Sequence, residues 1–307
     1  MLYVSSRNYY DSYTAYRALR EEHTPNGGVY VPMRLPVFTK DALSAMKTQT
    51  CGDTIAKLLN LFSGQHITGW DIECELGRYP LKLQSIGQKL VIAETWRNPE
   101  NTYSYVLKGL YGLVLGQKGG YSMPVGWARI AIEIAVLFGL YYSSEVKAFE
   151  KIDIAVTEDD LSLITAICFA KNMGLPVNLA ICACNENSNL WDLVNKGSLS
   201  ASVEQSTYFE CLLYGLFGQR SVLDYNDACS RNAVYYINEE SIPVLSDFMY
   251  AAVVSEKRID TIVTGMYHTN QYLFDSCTAL AFGSLQDYRA QSGVNNDTLI
   301  LSKQRTK

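Results

Sequence analysis

One stretch of the chain, residues 152–182, reads IDIAVTEDDLSLITAICFAKNMGLPVNLAIC. Residues 152–156 are a short apolar run typical of a buried strand, and residues 160–173 have the length and apolar content of a helix. The run Gly-Leu-Pro at residues 174–176 ends that helix, and residues 177–182 predict another strand. A strand, a helix and a strand joined by short loops form the unit of a parallel sheet. The sequence therefore predicts an α/β fold, with a mainly parallel sheet flanked by helices.

The rest of the chain extends this pattern on both sides. Apolar spacing predicts further helices at residues 38–46, 54–62, 102–115, 127–142 and 276–290. Short apolar runs predict strands at residues 2–4, 29–31, within 81–93 and at 259–264. We expect one compact unit, made of an N-terminal extension at residues 1–90, an α/β core at residues 91–302 and a frayed tail at residues 303–307.

The composition is that of an ordinary globular protein. Hydrophobic residues make up 48% and charged residues 19% of the chain, and the formal net charge is −5. No basic stripe is present, so the sequence predicts no nucleic-acid partner. The most apolar run, residues 130–142, is interrupted by Glu133 and is too short to cross a membrane. With no signal-peptide pattern at the start, we expect a cytoplasmic protein.

Cysteine and histidine are scattered through the sequence. The chain has eight cysteines without a CxxC pair, and His23, His66 and His268 stand apart from them. A zinc site would require these residues at ligand spacing, so the sequence predicts no metal site. Buried free thiols in a reducing compartment are the expected state of the cysteines.

Several segments, taken in chain order, resemble one enzyme family. They are YVSSR at residues 3–7, NGGVYVP at 26–32, WAR at 127–129, FAKNMGLP at 169–176, CNEN at 184–187, FECLLY at 209–214 and DSCTA at 275–279. Each is similar to a segment of threonine synthases, and the order is kept over almost the whole chain. Threonine synthases are pyridoxal-phosphate enzymes of fold type II. The resemblance therefore implies a fold like the large domain of those enzymes.

The resemblance fails at the residues that hold the family's cofactor. In the run at residues 94–105, Ser104 stands where threonine synthases have the lysine that binds pyridoxal phosphate. A hydroxyl cannot form a Schiff base, so the covalent attachment is lost. Where the family has a glycine-rich phosphate loop, this chain has Glu158, Asp159 and Asp160. Carboxylates repel a phosphate dianion, and either aspartate is a common helix N-cap.

A further departure is one of length. The family has a small domain between the lysine helix and the WAR helix, and here only a short linker, residues 116–121, joins them. The resemblance therefore implies that the small domain is deleted and that half of the cleft wall is missing. We expect no pyridoxal phosphate and no other cofactor. Arg7, Ser104, Asn185, Cys277 and Thr278 are the candidates for a vestigial cleft, and no catalytic residue is predicted.

Three hypotheses follow for function. The first is a threonine synthase-like pseudoenzyme that acts by binding, regulation or assembly. The second is a small-molecule enzyme with new chemistry in the remodelled cleft, for which the candidates are Glu158, Asp159, Asp160, Cys277 and His268. The third is residual cofactor chemistry at Lys108, which follows Ser104 by one helical turn.

The predicted helix at residues 102–115 carries apolar and aromatic residues all around its axis. Loss of a domain would uncover such a surface, and large exposed apolar patches mark interfaces. We therefore expect a two-fold homodimer, with a heteromeric protein partner as the alternative. The same tyrosines would instead be internal if they pack on the N-terminal extension.

Overall fold

The structure of the protein is a computed structural model that describes residues 1–78, 81–87, 89–96, 102–117, 122–143, 151–200 and 206–304. Its strands are β1 (Leu2–Ser5), β2 (Asn8–Thr14), β3 (Tyr30–Pro32), β4 (Lys82–Ile86), β5 (Leu90–Glu94), β6 (Ile152–Thr157), β7 (Val177–Cys184), β8 (Ser198–Leu199), β9 (Tyr235–Tyr236), β10 (Met249–Val253) and β11 (Thr298–Ser302).

Along the chain the helices lie between these strands, singly or in runs of two or three. They are α1 (Ala15–Ala18), α2 (Lys40–Met46), α3 (Cys51–Ser63), α4 (Gly69–Arg78), α5 (Tyr103–Leu115), α6 (Gly126–Tyr141), α7 (Leu161–Asn172), α8 (Asn189–Lys196), α9 (Thr207–Phe217), α10 (Gln219–Ser230), α11 (Ser241–Phe248), α12 (Ile259–Asn270) and α13 (Ser276–Ser292). A short 3-10 helix, Glu158–Asp160, joins β6 to α7.

The central sheet confirms the predicted fold class. In the described part of the chain its order is β10-β7-β6-β11-β5-β4, and every neighbouring pair except the β4–β5 hairpin is parallel. All residues of β5, β6 and β11 are buried, because helices cover both faces of a parallel sheet. The N-terminal residues build a separate three-stranded sheet of order β2-β1-β3.

Helix α6 is the centre of the main core. Fifteen of its residues are buried, and it packs between α3, α5 and α7. Trp127, fully buried in its first turn, contacts the rings of Tyr3, Phe62 and Phe169. These rings come from the N-terminal sheet, α3 and α7, so one side chain joins the N-terminal segment to the core. Burial of aromatic area on this scale is a large part of the stability of such a core.

One predicted strand is wrong. Residues 259–264, expected as a late strand, are the first half of helix α12. Ile262 and Met266 are buried whereas Thr264 between them is exposed, and a strand would place all three on one face. The late strands are β10 and β11 instead, and β11 inserts between β5 and β6 in the middle of the sheet.

The expected uncovered surface on α5 is also wrong. Six of its apolar and aromatic residues are buried inside the chain: Tyr103, Val106, Leu107, Leu110, Tyr111 and Val114. The Tyr111 hydroxyl donates to the Leu19 carbonyl oxygen at 2.8 Å, so this tyrosine packs on the N-terminal segment. Of the large apolar residues of α5, Tyr105 is exposed, at 39%. The homodimer stays a prediction, but α5 no longer supports it.

Both expected domain boundaries, after residue 90 and after residue 302, fall where the chain is hydrogen-bonded to other parts of the fold. The boundary after residue 90 falls in the β4–β5 hairpin, whose register pairs Ile86 with Leu90. Lys303, expected in the frayed tail, accepts a hydrogen bond from the Tyr103 backbone N–H at 3.0 Å through its carbonyl oxygen. Its side chain also forms an ion pair with Asp160, so Lys303 packs on the core and is not part of a frayed tail. Residues 305–307 lie outside the described residues.

Candidate functional site at the strand ends

A cavity of about 180 Å³ lies at the carboxyl ends of β6 and β11, and we refer to it as the strand-end cavity. The chain leaves β6 towards β7 on one side, while β11 occupies the other side of β6. In open α/β sheets ligands bind outside the carboxyl ends of the strands at such a change of direction. The polar residues lining the cavity are Thr157, Asp159, Asp160, Asp275, Lys303 and Gln304, and Cys277 lines it as well.

The acidic segment after β6 is held by contacts to other elements. Glu158 accepts hydrogen bonds from the Asn185 backbone N–H at 2.8 Å and from the Ser188 hydroxyl. Asp160 occupies the N-cap position of α7, but its side chain makes no capping hydrogen bond. It pairs with Lys303 instead, so the expectation of an N-cap side chain is not met at this residue. Asp159 is exposed.

Lys303 is the cation of the strand-end cavity. Its ammonium donates to the Asp160 carboxylate and lies 5.1 Å from the centroid of the Tyr103 ring. The side chain is 20% exposed, so most of its surface is covered by the protein. A carboxylate and an aromatic face together provide the two interactions that hold an ammonium group in a protein.

Behind this ion pair lies a buried polar cluster between α5, α6 and α7. The carboxylate of Glu133, which is fully buried, accepts hydrogen bonds through Oε1 from Arg129 Nε at 3.3 Å and from the Ser162 hydroxyl at 3.2 Å. Burial raises the pKa of Glu133, while the nearby Lys303 and Arg129 act to lower it. Within the described residues, Glu133 Oε2 and the Tyr103 hydroxyl have no hydrogen-bond partner.

The N-terminus of α13 forms the opposite wall. Asp275 caps this helix by accepting from the Thr278 backbone N–H at 3.0 Å, and it also accepts from the Ser302 hydroxyl at 2.8 Å. The Thr278 hydroxyl donates to the same carboxylate, so Thr278 has a structural role here. Cys277 presents its thiol to the cavity. Burial and the carboxylates of Asp275, Asp160 and Asp159 raise the pKa of Cys277.

The other predicted residues lie in different places. Arg7 forms an ion pair with Glu210, which is a structural contact. Asn185 lines a neighbouring cavity of about 400 Å³ at the end of β7.

The candidates on the helices lie apart from both cavities. Ser104 is half-buried in the first turn of α5, and the Lys108 ammonium lies 5.7 Å from the Tyr105 ring centroid. His268 is exposed on α12. Of the predicted residues, Asp159, Asp160 and Cys277 therefore line the strand-end cavity, while Glu158 and Asn185 line the neighbouring one.

Lys303, Glu133 and Tyr103 were not predicted as site residues. Lys303 follows the apolar run TLILS, and the carboxyl end of a central strand is where polar residues of α/β proteins meet. Glu133 is the one acidic residue in the apolar run 130–142, which is a signal of a buried charge. That Tyr103 adjoins both follows only from the tertiary packing of α5.

The residues at the strand end do not fit pyridoxal phosphate. A phosphate dianion requires N–H donors and cations, whereas this loop presents carboxylates, and the Asn185 N–H is already bound to Glu158. The Lys303 cation is neutralised by Asp160. The cavity, at about 180 Å³, is also smaller than the roughly 300 Å³ at which ligand pockets usually begin.

No group of three or more histidine, cysteine, aspartate or glutamate side chains could hold a metal ion in the described ranges. In the same ranges, no helix has the length and apolar character needed to span a membrane.

The comparisons with known proteins find a likeness to threonine synthases in the N-terminal residues and in the fold. Residues 2–74 match the family model described as threonine synthase N terminus. Among solved structures, threonine synthase from Brucella melitensis, described as bound to PLP, has a TM-score of 0.80 at 16% identity; the match covers 99% of this chain and 89% of that chain. Threonine synthase from yeast gives 0.80 at 16% identity, covering 99% and 87% of the two chains.

Threonine synthase from Escherichia coli gives a TM-score of 0.70 at 14% identity, with 99% of this chain and 88% of that chain covered. No curated protein matches. The solved structures show that this chain has the fold of threonine synthases, and the family model adds a match to their N terminus over residues 2–74. This chain is a threonine synthase-like protein in its N-terminal segment and in its fold.

Proposed function

We propose that this protein is a threonine synthase-like pseudoenzyme, which does not hold pyridoxal phosphate and acts by binding. The observation that carries the proposal is the bonding of the acidic segment after β6. Glu158 accepts from the Asn185 N–H and the Ser188 hydroxyl, and Asp160 pairs with Lys303, so both carboxylates are engaged within the fold. The resemblance implies that these residues replace the family's phosphate loop. Charged groups in such contacts do not reorganise at low cost to admit a dianion.

Two further features support the absence of cofactor chemistry. Ser104 in the first turn of α5 has no amine with which to attach an aldehyde. Lys108, which could replace the family lysine, lies against the Tyr105 ring and is not among the described residues that line the strand-end cavity. Helices α5 and α6 are separated only by residues 116–125, which supports the proposed loss of the small domain.

New chemistry at the strand-end cavity is the second candidate, because Cys277 and Lys303 both line it. A nucleophilic cysteine requires a thiolate, and thiolates form beside cations with few nearby anions. Here burial and three carboxylates raise the pKa of Cys277, so at neutral pH the group is a thiol. The geometry therefore supports binding better than covalent catalysis.

The test is a titration of the purified chain with pyridoxal phosphate, followed by borohydride reduction and peptide mass spectrometry. Surface lysines of any protein react slowly with aldehydes, so pyridoxal without phosphate measures that background. Threonine synthase from Brucella melitensis, described as bound to PLP, is the positive control. We expect no saturable visible imine band and no adduct above background. A stoichiometric adduct on Lys108 or Lys303 would show that the protein binds the cofactor and would overturn the proposal.

The partner of the binding function is proposed to be a second copy of this chain, with a heteromeric protein as the alternative. Light scattering of the purified chain at micromolar concentration distinguishes them. A dimer mass supports the homodimer. A monomer mass with no co-purifying chain contradicts it.

A further inference from the structure

We propose that the crease between α12 and α13 binds a small amphipathic carboxylate, with its anionic head beside Lys89 and Arg289 and its apolar chain along α12. The site lies at the amino ends of β5 and β11, at the opposite end of the sheet from the strand-end cavity. The inference goes beyond the proposed function, because such a ligand involves neither the family cofactor nor a second chain.

Two adjoining cavities form this crease, and we refer to them together as the α12–α13 groove. The larger, of about 520 Å³, lies between the two helices, and the smaller, of about 300 Å³, lies between the helices and the β4–β5 hairpin. Both are lined by Met266, Asn270 and Phe282, so they adjoin. Their volumes fall in the range that is usual for small-molecule sites, roughly 300–1,000 Å³.

The floor of the groove is apolar. Ile262 and Met266 are buried, Phe282 is partly buried, and all three line the larger cavity. Gly265 lines it as well, and a Cβ at this position would meet nothing within 4 Å, so the helix surface is open here. An apolar chain that followed α12 from Asn270 to Ile262 would extend over about 12 Å, at 1.5 Å per residue.

The charged residues that line the groove are cations, in a chain whose formal net charge is −5. Among the described lining residues they are Lys89, Lys257, Arg258 and Arg289, with no aspartate or glutamate. Arg258 pairs with Asp287 of α13, so its charge is compensated. The other cations give the groove a positive potential, which favours an anion over a neutral or cationic ligand.

Lys89 and Arg289 meet at the smaller cavity. Arg289 Nη2 donates at 2.9–3.2 Å to uncharged oxygens, which belong to Lys89, Asn296 and Thr298. In the described part of the chain Arg289 Nε is buried without a hydrogen-bond partner, and neither Lys89 nor Arg289 forms an ion pair. A carboxylate is the partner that matches a guanidinium group best, because it can accept through both oxygens.

The charge balance at this end of the groove favours a ligand with a single negative charge. Burial lowers the pKa of Arg289, while Asp153 and Asp297 act to raise it. The two aspartates therefore offset part of the positive charge before any ligand binds. A carboxylate fits the remaining charge better than a phosphate dianion does.

The experiment is calorimetric titration of the purified chain with sodium decanoate, kept below the concentration at which it forms micelles. We expect saturable binding at one site. Each methylene removed from water strengthens binding up to about four-fold, so hexanoate should bind at least about ten-fold more weakly. Decyltrimethylammonium has the same chain with the opposite charge and should not saturate. No saturable binding of decanoate, or equal binding of decyltrimethylammonium, would overturn the proposal.

Two pairs of variants locate the site. Gly265→Glu places a carboxylate over the apolar floor and should weaken decanoate binding at least about ten-fold. Gly77→Glu on α4 is its control, since a Cβ there likewise meets nothing within 4 Å. Lys89→Glu should weaken binding several-fold, whereas Lys82→Glu, an exposed position outside both cavities, makes the same charge change and should not. Equal affinities within either pair would contradict the site.

A second measurement needs no variant at the groove to fold. In wild-type protein labelled with ¹³C at the methionine methyl groups, decanoate should shift the Met266 signal saturably, and the fully buried Met46 signal should stay in place. A Met266 signal that did not move would overturn the proposal. This readout involves neither pyridoxal phosphate nor oligomer mass, so its failure is distinct from a failure of the proposed function.

Discussion

Arg7, near the start of the chain, forms a bidentate ion pair with Glu210 of helix α9. Arg7 Nη2 lies 2.7 Å from Glu210 Oε2, and Arg7 Nε lies 3.1 Å from Oε1. The Ser6 hydroxyl donates to the same carboxylate. The glutamate side chain is 5% exposed and that of the arginine 24%, so the two ends of the pair differ in access to water. The family-like YVSSR segment therefore has an internal, structural use in this protein.

This difference predicts an asymmetry between two substitutions. Arg7→Met leaves the buried Glu210 carboxylate without its counter-charge and should cost about 3 kcal/mol of unfolding free energy. Glu210→Gln keeps an acceptor and leaves an arginine that water can reach, so its cost should be about 1–2 kcal/mol. Urea unfolding of both variants measures the difference.

The exposed pair of Arg220 and Asp224 is the control, with side chains 84% and 47% exposed. Arg220→Met should change the unfolding free energy by at most about 0.5 kcal/mol. A cost as large as that of Arg7→Met would show that burial is not the cause.

Two helical glycines predict opposite effects of the same substitution. A Cβ at Gly139 in α6 would lie 2.7 Å from Ile55 Cγ1 and 3.0 Å from Cys51 Sγ, inside the packed contact with α3. Gly139→Ala should therefore destabilise the protein by about 1–3 kcal/mol, because overpacking exceeds the gain in helix propensity.

At Gly265 in α12 a Cβ would meet nothing within 4 Å. Gly265→Ala should stabilise the protein by up to about 1 kcal/mol through helix propensity alone. Thermal unfolding of both variants tests the pair. If both changes stabilised the protein, the close approach of α3 and α6 would be refuted.

The sequence predicted the fold best where the apolar periodicity and the turn residues of one continuous segment define its strands and helices. The strand–helix–strand unit at residues 152–182 is present as β6, α7 and β7, since its periodicity and its Gly-Leu-Pro stop are local. Strand β11 was not predicted, because its five residues carry no local signal that distinguishes them from a loop. They are buried because β11 pairs with β5 on one side and with β6 on the other. Residues 259–264 were misassigned because a short apolar run has no clear period.

The candidate site was predicted only in part, for a related reason. The acidic segment and Cys277 could be located by resemblance to a family, since each replaces a residue with a known place. The pairing of Asp160 with Lys303 joins residues 143 positions apart and depends on the order of the sheet. The same holds for Glu133 beneath them. Such contacts follow from topology, which no local pattern contains.

Restoring the lysine alone should not restore cofactor binding. In Ser104→Lys the amine returns to the first turn of α5, but Glu158 and Asp160 keep their bonds to Asn185 and Lys303. We expect borohydride trapping with pyridoxal phosphate to label residue 104 no more than an introduced lysine on an exposed helix. Thr264→Lys on α12 is that control. Saturable labelling of residue 104 alone would mean that the acidic segment does not exclude the phosphate.

The last prediction concerns the buried carboxyl of Glu133. Burial raises its pKa above the ordinary glutamate value of about 4.3, so the folded chain holds this proton more tightly than the unfolded chain. The group therefore favours folding fully below pH ~4.3, and this contribution is lost as the pH rises towards the folded pKa. Glu133→Gln removes the titration, keeps the acceptor for Arg129 and Ser162, and brings a donor to the unpaired position. The unfolding free energy of the variant relative to the wild type should thus increase by about 1.4 kcal/mol per pH unit within that window. Urea unfolding between acid and neutral pH measures this increase.

Glu186→Gln, at an exposed loop position, is the control and should show no such slope. A relative stability of Glu133→Gln that stayed constant, or fell as the pH rose, would mean that Arg129 and Lys303 outweigh burial and that the glutamate is charged in the fold.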